Sequence, residues 1–227
     1  MINFIIMLND FISLIFPQNC INCEQSLNSA ERYLCTSCKI DLPITNDQQN
    51  PENELFQKFA FEPKIKSASA FLYFNKKSVV QKLLHELKYK GKKDLGVTLG
   101  KWFAPSLADI KADYIIPVPL HKSKERRRTF NQSELIAQGI SEILEIPLKT
   151  DLLKRIIATK TQTKKTKVER WQNLENVYSE VKEDLSGKSL IIVDDVITTG
   201  ATVGMLAKRI AEAKADNIHV LAVARGN

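Results

Sequence analysis

Apolar residues along this chain recur with two different periods, and the order in which the periods alternate predicts a fold. Residues 68–74 form a short apolar run with the character of a strand, and residues 79–89 then place Val79, Val80, Leu83, Leu84 and Leu87 at helical spacing on one face. A second helix is expected over 93–103, and a strand over 114–118, stopped by Pro119. Residues 131–144 read as a helix that Pro147 brings to an end, and 152–157 as another strand. Near the end of the chain, continuous apolar runs at 189–193 and 218–223 flank a helical stretch at 202–213. Strands that are apolar throughout are buried on both faces, so this order implies a βαβ unit in a parallel sheet covered by helices. Ligands are then expected at the carboxyl ends of the strands. The sequence contains no internal repeat.

The first residues, MINFIIMLNDFISLIFP, are apolar, but they lack the basic n-region and small-residue cleavage site of a signal peptide, and Asn9 with Asp10 interrupt them too early for a membrane span. Ile2, Ile5, Ile6, Phe11, Ile12 and Ile15 recur at three- and four-residue spacing, as in an amphipathic helix docked on the protein's own core. A membrane-surface helix would carry a basic flank, which is missing. The expectation is a cytoplasmic protein without membrane insertion.

All four cysteines fall between residues 20 and 38, as two C-x2-C pairs, Cys20 with Cys23 and Cys35 with Cys38. Each pair has the spacing of a turn that presents two thiolates to one tetrahedral metal. In a cytosolic chain with no other cysteine, structural Zn²⁺ outranks disulfides, and the βαβ setting of a redox-active C-x2-C is absent. Four protein thiolates leave no position for water, so this metal would support folding rather than catalysis. Residues 43–63 are polar and bounded by prolines. The expected organisation is an N-terminal helix and four-cysteine module over 1–45, a linker over 46–66 and the main domain over 67–227.

The stretch LIIVDDVITTGATV, residues 190–203, carries the most specific chemistry. A buried strand delivers Asp194 and Asp195, then turns through Thr198, Thr199, Gly200 and Ala201 into a helix beginning near Thr202. Adjacent carboxylates at a strand end can accept hydrogen bonds from a vicinal diol and help hold Mg²⁺ beside it. Gly200 permits a tight loop of converging amides, the threonines add hydroxyl donors, and the helix start adds its positive dipole end, which together suit a monophosphate. The Gly-x4-Gly-Lys-Ser/Thr spacing of a nucleoside triphosphate P-loop is not there. This stretch resembles the phosphoribosyl pyrophosphate (PRPP) motif of type I phosphoribosyltransferases, which implies that fold for the main domain.

A net charge of +7 favours an anionic partner. Two stretches concentrate the cations: Lys122, Lys124, Arg126, Arg127 and Arg128 follow the strand at 114–118, while Arg155, Lys160, Lys164, Lys165, Lys167 and Arg170 lie farther on. A charged loop of this kind can close on pyrophosphate and exclude water. Leu87 to Gly91, Val118 to Leu120, Arg127 with Phe130 to Ser133, Leu153 with Arg155, Gln162, Arg170 with Asn173, and the loop from Val193 to Thr202 together resemble the ComF family along the whole chain. At one position the pattern departs: Thr129 stands where that family usually has glycine.

The resemblance implies two readings. In the first, PRPP binds with Mg²⁺, Asp194 and Asp195 hold the ribose hydroxyls, Thr198, Thr199, Gly200, Ala201 and Thr202 hold the 5′-phosphate, and Arg155 and Arg170 face the departing pyrophosphate. The acceptor is unassigned, because no segment presents a recognisable base pocket. In the second, the fold is kept for handling single-stranded DNA during uptake, beside a helicase-like partner. The lysine-rich stretch lacks interleaved aromatic residues for stacking on bases, which weakens direct single-strand recognition. A regulator that senses PRPP would keep the loop and lose the catalytic cations.

Overall fold

The computed structural model describes residues 18–120, 130–156 and 177–226. The helix expected over the first residues, the basic run 122–128, Thr129, Lys160 to Lys167 and Arg170 lie outside the described residues.

A parallel four-stranded sheet organises the chain. Its strands are β1 (Ile65–Phe74), β2 (Tyr114–Pro117), β3 (Ser189–Ile197) and β4 (Asn217–Gly226), in the spatial order β1-β4-β3-β2. Among the described residues six α-helices accompany it: α1 (Thr36–Ile40), α2 (Glu54–Gln57), α3 (Val79–Tyr89), α4 (Lys93–Phe103), α5 (Gln132–Leu144) and α6 (Ala201–Glu212). Ser78 caps α3 by accepting from the Gln81 amide, and Asn131 caps α5 by accepting from Ser133, so both helices start where short polar side chains replace the first missing backbone partners.

Alternation along the strands sorts the core into two layers. Ile115, Ile191, Val193, Leu221 and Val223 pack with α3, α4 and α5, whereas Ile116, Leu190, Ile192, Val220 and Ala222 pack with α6. The α4–α5 contact is close because both helices present glycine there. A Cβ on Gly100 would lie 2.2 Å from the Ile136 carbonyl oxygen, and one on Gly139 would lie 2.1 Å from that of Val97.

The connections diverge between β2 and β3. From β2 the chain passes through α5 to Leu148, which bridges the outer edge of β2 in parallel at Ile115, and from β3 it passes through α6 to β4 on the opposite side. Such a divergence opens a crevice at the carboxyl ends of the two strands.

Two sequence expectations change in detail. The strand expected over 152–157 is limited to one antiparallel bridge, between Arg155 and Tyr178. The strand expected over 189–193 runs on to Ile197, because Asp194, Val196 and Ile197 stay in register with Ala222, Ala224 and Arg225 of β4.

The cysteine-bearing part shares one apolar cluster with the main domain. Cys20, Leu34, Cys35, Cys38 and Leu42 are buried together with Leu83, Leu84 and Phe103. Residues 46–66 are also packed onto the sheet, with Leu55 and Phe59 buried in the α6 layer.

Candidate functional site

β2 pairs with β3 only as far as Val193, whose carbonyl accepts from the Val118 amide at 2.9 Å. Beyond that point β3 keeps β4 on one side, and Asp194 and Asp195 stand in the crevice that β2 has left. Asp195 forms an ion pair with Lys88 in the last turn of α3, at 2.7 Å, with both side chains mostly covered. Asp194 accepts from the Ser133 hydroxyl at 3.0 Å and from the Asp195 backbone N–H at 2.8 Å. Burial and the neighbouring Asp195 carboxylate raise Asp194 to about 7, against the opposing pull of these two hydrogen bonds and of Lys88. Near neutral pH the pair therefore has unequal partners: Asp195 has a cation against it, and Asp194 holds a proton readily.

The same geometry explains the Phe130–Ser133 motif. Asn131 caps α5 and also donates to the Val118 carbonyl at 3.1 Å, which fixes the start of the helix beside the end of β2. From that start Ser133 reaches Asp194.

After Ile197 the chain turns through the exposed Thr198 and Thr199 to Gly200 and then enters α6. Gly200 has φ +77°, a conformation that glycine adopts without a steric penalty, and it starts the helix with no side-chain cap. The Gly204 N–H donates to the Gly200 carbonyl at 2.8 Å, so α6 begins directly at the loop. An uncapped first turn beside threonine hydroxyls is suited to an anion. A Cβ on Gly200 would lie 3.0 Å from the Phe59 ring, so the loop is backed by apolar packing.

Arg155 bridges Tyr178 in an antiparallel pair, and its guanidinium carbon lies 5.9 Å from the Tyr178 ring centroid. Ile156 N–H donates to Val177 O and Ser179 N–H to Lys154 O, both at 2.9 Å, which closes the neck around residues 157–176. Tyr178 is buried, and among the described residues its hydroxyl has no hydrogen-bond partner. Burial raises its pKa, while the charges of Arg155 and Asp194 act on it from opposite directions.

Sequence reasoning singled out Asp194, Asp195, the threonine-glycine loop and Arg155; the structure places the aspartates and the loop at the carboxyl end of β3 and Arg155 beside Tyr178. It did not single out Lys88 or Tyr178. Lys88 lay within the quoted stretch from Leu87 to Gly91, but nothing in its spacing tied it to an aspartate more than a hundred residues away.

The four cysteines form a second constellation. Their Sγ atoms all lie within 4.8 Å of one another, with Cys23 and Cys35 at 3.6 Å, and none is in a disulfide. Tetrahedral zinc with Zn–S near 2.3 Å would set sulfur pairs about 3.8 Å apart, so the cluster fits a structural zinc site. The thiols have divergent acidities. Burial raises Cys20 but amides of Cys23, Cys35 and Asn22 lower it to about 6, while Cys38 receives the Asn22 side-chain amide and is still pushed to about 12 by burial and its neighbouring thiols. Four thiolates at this separation require a cation among them. The site is tied to the main domain through Asn22, whose side chain donates to Cys38 Sγ at 3.3 Å and whose carbonyl accepts from Lys82 of α3 at 2.8 Å.

The Phosphoribosyl transferase domain family matches residues 131–227. Competence protein F of Haemophilus influenzae is 28% identical over 230 residues, covering 92% of this chain and 98% of that protein. DNA utilization protein YhgH of Escherichia coli O157:H7 is 30% identical over 150 residues, covering 63% of this chain and 66% of that protein. Among solved structures, the glutamine PRPP amidotransferase from B. subtilis, complexed with ADP and GMP, aligns at 25% identity with a TM-score of 0.44, covering 61% of this chain and 30% of that chain. Among the described residues, no helix is long and apolar enough to cross a membrane.

Proposed function

We propose that this chain is a member of the ComF family, which its similarity to Competence protein F along most of its length supports, and that its β3–α6 loop binds the ribose 5-phosphate part of PRPP. The observation that carries the reading is the uncapped start of α6 at Gly200, beside exposed threonines and directly after Asp194 and Asp195. Amides and hydroxyls of Thr198 to Thr202 hold the 5′-phosphate, and the two aspartates hold the ribose hydroxyls. Asp195, paired with Lys88, serves as an acceptor; Asp194, when protonated, can also donate. Arg155, with Arg170 from outside the described residues, faces the pyrophosphate, where negative charge grows as the bond to C1′ breaks. Mg²⁺ carried on the pyrophosphate supplies further charge neutralisation when bound. The nucleophile that forms the new bond at C1′ is unassigned, and zinc is the proposed ion of the cysteine cluster.

The curated relatives are named a competence protein and a DNA utilization protein, which supports a role for this site beside DNA handling. In the accompanying reading, the basic stretches at 122–128 and 160–170 contact single-stranded DNA through its phosphates beside a helicase-like partner. Calorimetry separates the two. Wild-type protein should bind PRPP with Mg²⁺, and Asp194→Asn or Asp195→Asn should each weaken it by roughly 10- to 150-fold, the value of a hydrogen bond to a charged acceptor. Single-stranded DNA binding with no PRPP binding at all would leave only the DNA-handling role.

A further inference from the structure

The polar segment before β1, which reads as a linker, is built onto the phosphate loop. It is fixed at three levels. Asn53 caps α2 by accepting from Phe56 at 2.9 Å, and its amide donates to the carbonyls of Asp47, Asn50 and Ala68 at 3.1, 2.8 and 2.8 Å. The Asp47 carboxylate accepts from the Ala70 amide of β1 at 3.1 Å and from Arg225 Nε of β4 at 3.0 Å, and Arg225 Nη1 reaches Glu54 at 2.8 Å. Arg225 pairs in register with Ile197, the last residue of β3, so this buried network ends beside the loop. Phe59 is buried against Gly200, and the Phe61 ring covers Gly204 in the first turn of α6.

From this brace Lys58 reaches forward. Its Nζ donates to the Thr198 carbonyl at 2.8 Å and lies 3.5 Å from that of Gly226, so one ammonium spans the start of the loop and the end of β4. In a trans peptide the C=O and the following N–H point to opposite sides. With its carbonyl turned to Lys58, the Thr198–Thr199 peptide directs the Thr199 N–H away from the brace, to the loop's other side. A loop carbonyl that swung into the cradle would instead set its oxygen against the ligand's phosphate oxygens.

Resting on the reading of this loop as a phosphate cradle, we propose that Lys58 is a positioning residue that holds the Thr198 carbonyl out of the anion site. It acts through the loop and does not need to touch the ligand. The positive charge of the lysine strengthens the bond at a partly exposed site.

The test uses the full chain and two probes, ribose 5-phosphate and inorganic phosphate. Lys58→Met should weaken ribose 5-phosphate by about tenfold, the lower end of the value of a charged hydrogen bond, with the thermal midpoint and zinc content unchanged. Lys58→Arg keeps a charged donor and should recover most of the affinity. The amide resonance of Thr199 should shift in Lys58→Met and stay near its wild-type position in Lys58→Arg, which a purely structural loss elsewhere would not produce. If Gly200→Val abolishes binding while Lys58→Met binds within twofold of wild type, the cradle stands and the role of Lys58 falls. Equal loss in Lys58→Met and Lys58→Arg, with both folded, also overturns it. Wild-type protein that binds neither probe refutes the cradle, and the role of Lys58 with it.

Discussion

The four-cysteine cluster and the crevice at the end of β3 are both sets of polar groups gathered at one point, but the chain assembles them in opposite ways. The cysteines come from residues 20 to 38, and two short turns suffice to bring their sulfurs together. The crevice takes Lys88 from α3, Ser133 from α5, two aspartates from β3 and Tyr178 from the neck around residues 157–176, and Lys58 braces its loop from behind. A local site can be made by the ion it binds, because most of the organising energy comes from metal–ligand bonds. A distributed site has to be held by the fold before any ligand arrives. Consequently, damage to the first should act through folding, and damage to the second mainly through binding and charge balance.

Metal removal should have the largest effect. Structural zinc sites contribute on the order of 10 kcal/mol at neutral pH to the folding of the module that holds them, comparable to the whole stability of a small domain. Cys35→Ser should release the ion and unfold residues near 20 to 42. Cys20, Leu34, Cys35 and Cys38 are continuous with the layer holding Leu83, Leu84 and Phe103, so the disturbance should extend to the adjoining faces of α3 and α4. β3 and β4 lie deeper and should keep their protection, which hydrogen exchange resolves region by region. Native protein with no bound metal and four freely titrating thiols would break the comparison on its local side.

A smaller effect is expected at the ion pair between Lys88 and Asp195. From the sequence, two unliganded carboxylates side by side should repel, so that Asp→Asn at either position leaves stability equal or slightly higher. Lys88 reverses that expectation at Asp195. Removing one partner leaves a mostly covered charge without compensation, so Asp195→Asn and Lys88→Met should each cost about 1 to 3 kcal/mol, less than for a fully buried pair. The double variant should cost less than the sum of the two. Additive losses in that cycle would show the pair to be energetically idle.

How much of this was legible follows from the same contrast. The C-x2-C spacing and the Asp-Asp-x-x-Thr-Thr-Gly order are contiguous, and contiguous patterns report chemistry directly. The helices at 79–89 and 93–103 were equally plain, since a single apolar stripe sets each. By contrast, the segment at 46–66 is polar because its side chains make hydrogen bonds inside the structure. Asp47 and Asn53 are buried, and the cation that balances Asp47 is Arg225, near the other end of the chain. Composition alone cannot separate a solvated linker from a satisfied polar brace. The length of β3 was underestimated for a related reason: apolar character stops at Val193, but pairing with β4 carries the strand on through the aspartates.

The smallest effect, and the one that discriminates most finely between the two carboxylates, is the dependence of stability on pH at Asp194. Its pKa is raised to about 7 by burial and by Asp195, above the ordinary carboxylate value near 4 that the unfolded chain would have. Between these two values the native state retains a proton that the unfolded state has released. Stability therefore falls as pH rises through that window, and its slope cannot exceed about 1.4 kcal/mol per pH unit for a single proton. The raised value already includes the hydrogen bonds from Ser133 and the Asp195 amide and the attraction of Lys88, and the carboxyl's partial contact with solvent screens what it contributes to stability. Asp194→Asn carries no titrating proton there, so it should flatten this decline and gain about 1 kcal/mol over wild type near pH 8. Near pH 4 the advantage should vanish. Asp195→Asn removes the charge that helps raise Asp194, so it should move the decline to lower pH while carrying its own loss of the Lys88 pair. Denaturant unfolding of the three proteins across pH 4 to 8 measures all of this. A wild-type stability that rises steadily through that range, with Asp194→Asn parallel to it, would place Asp194 among ordinary ionised carboxylates and make the two aspartates equivalent.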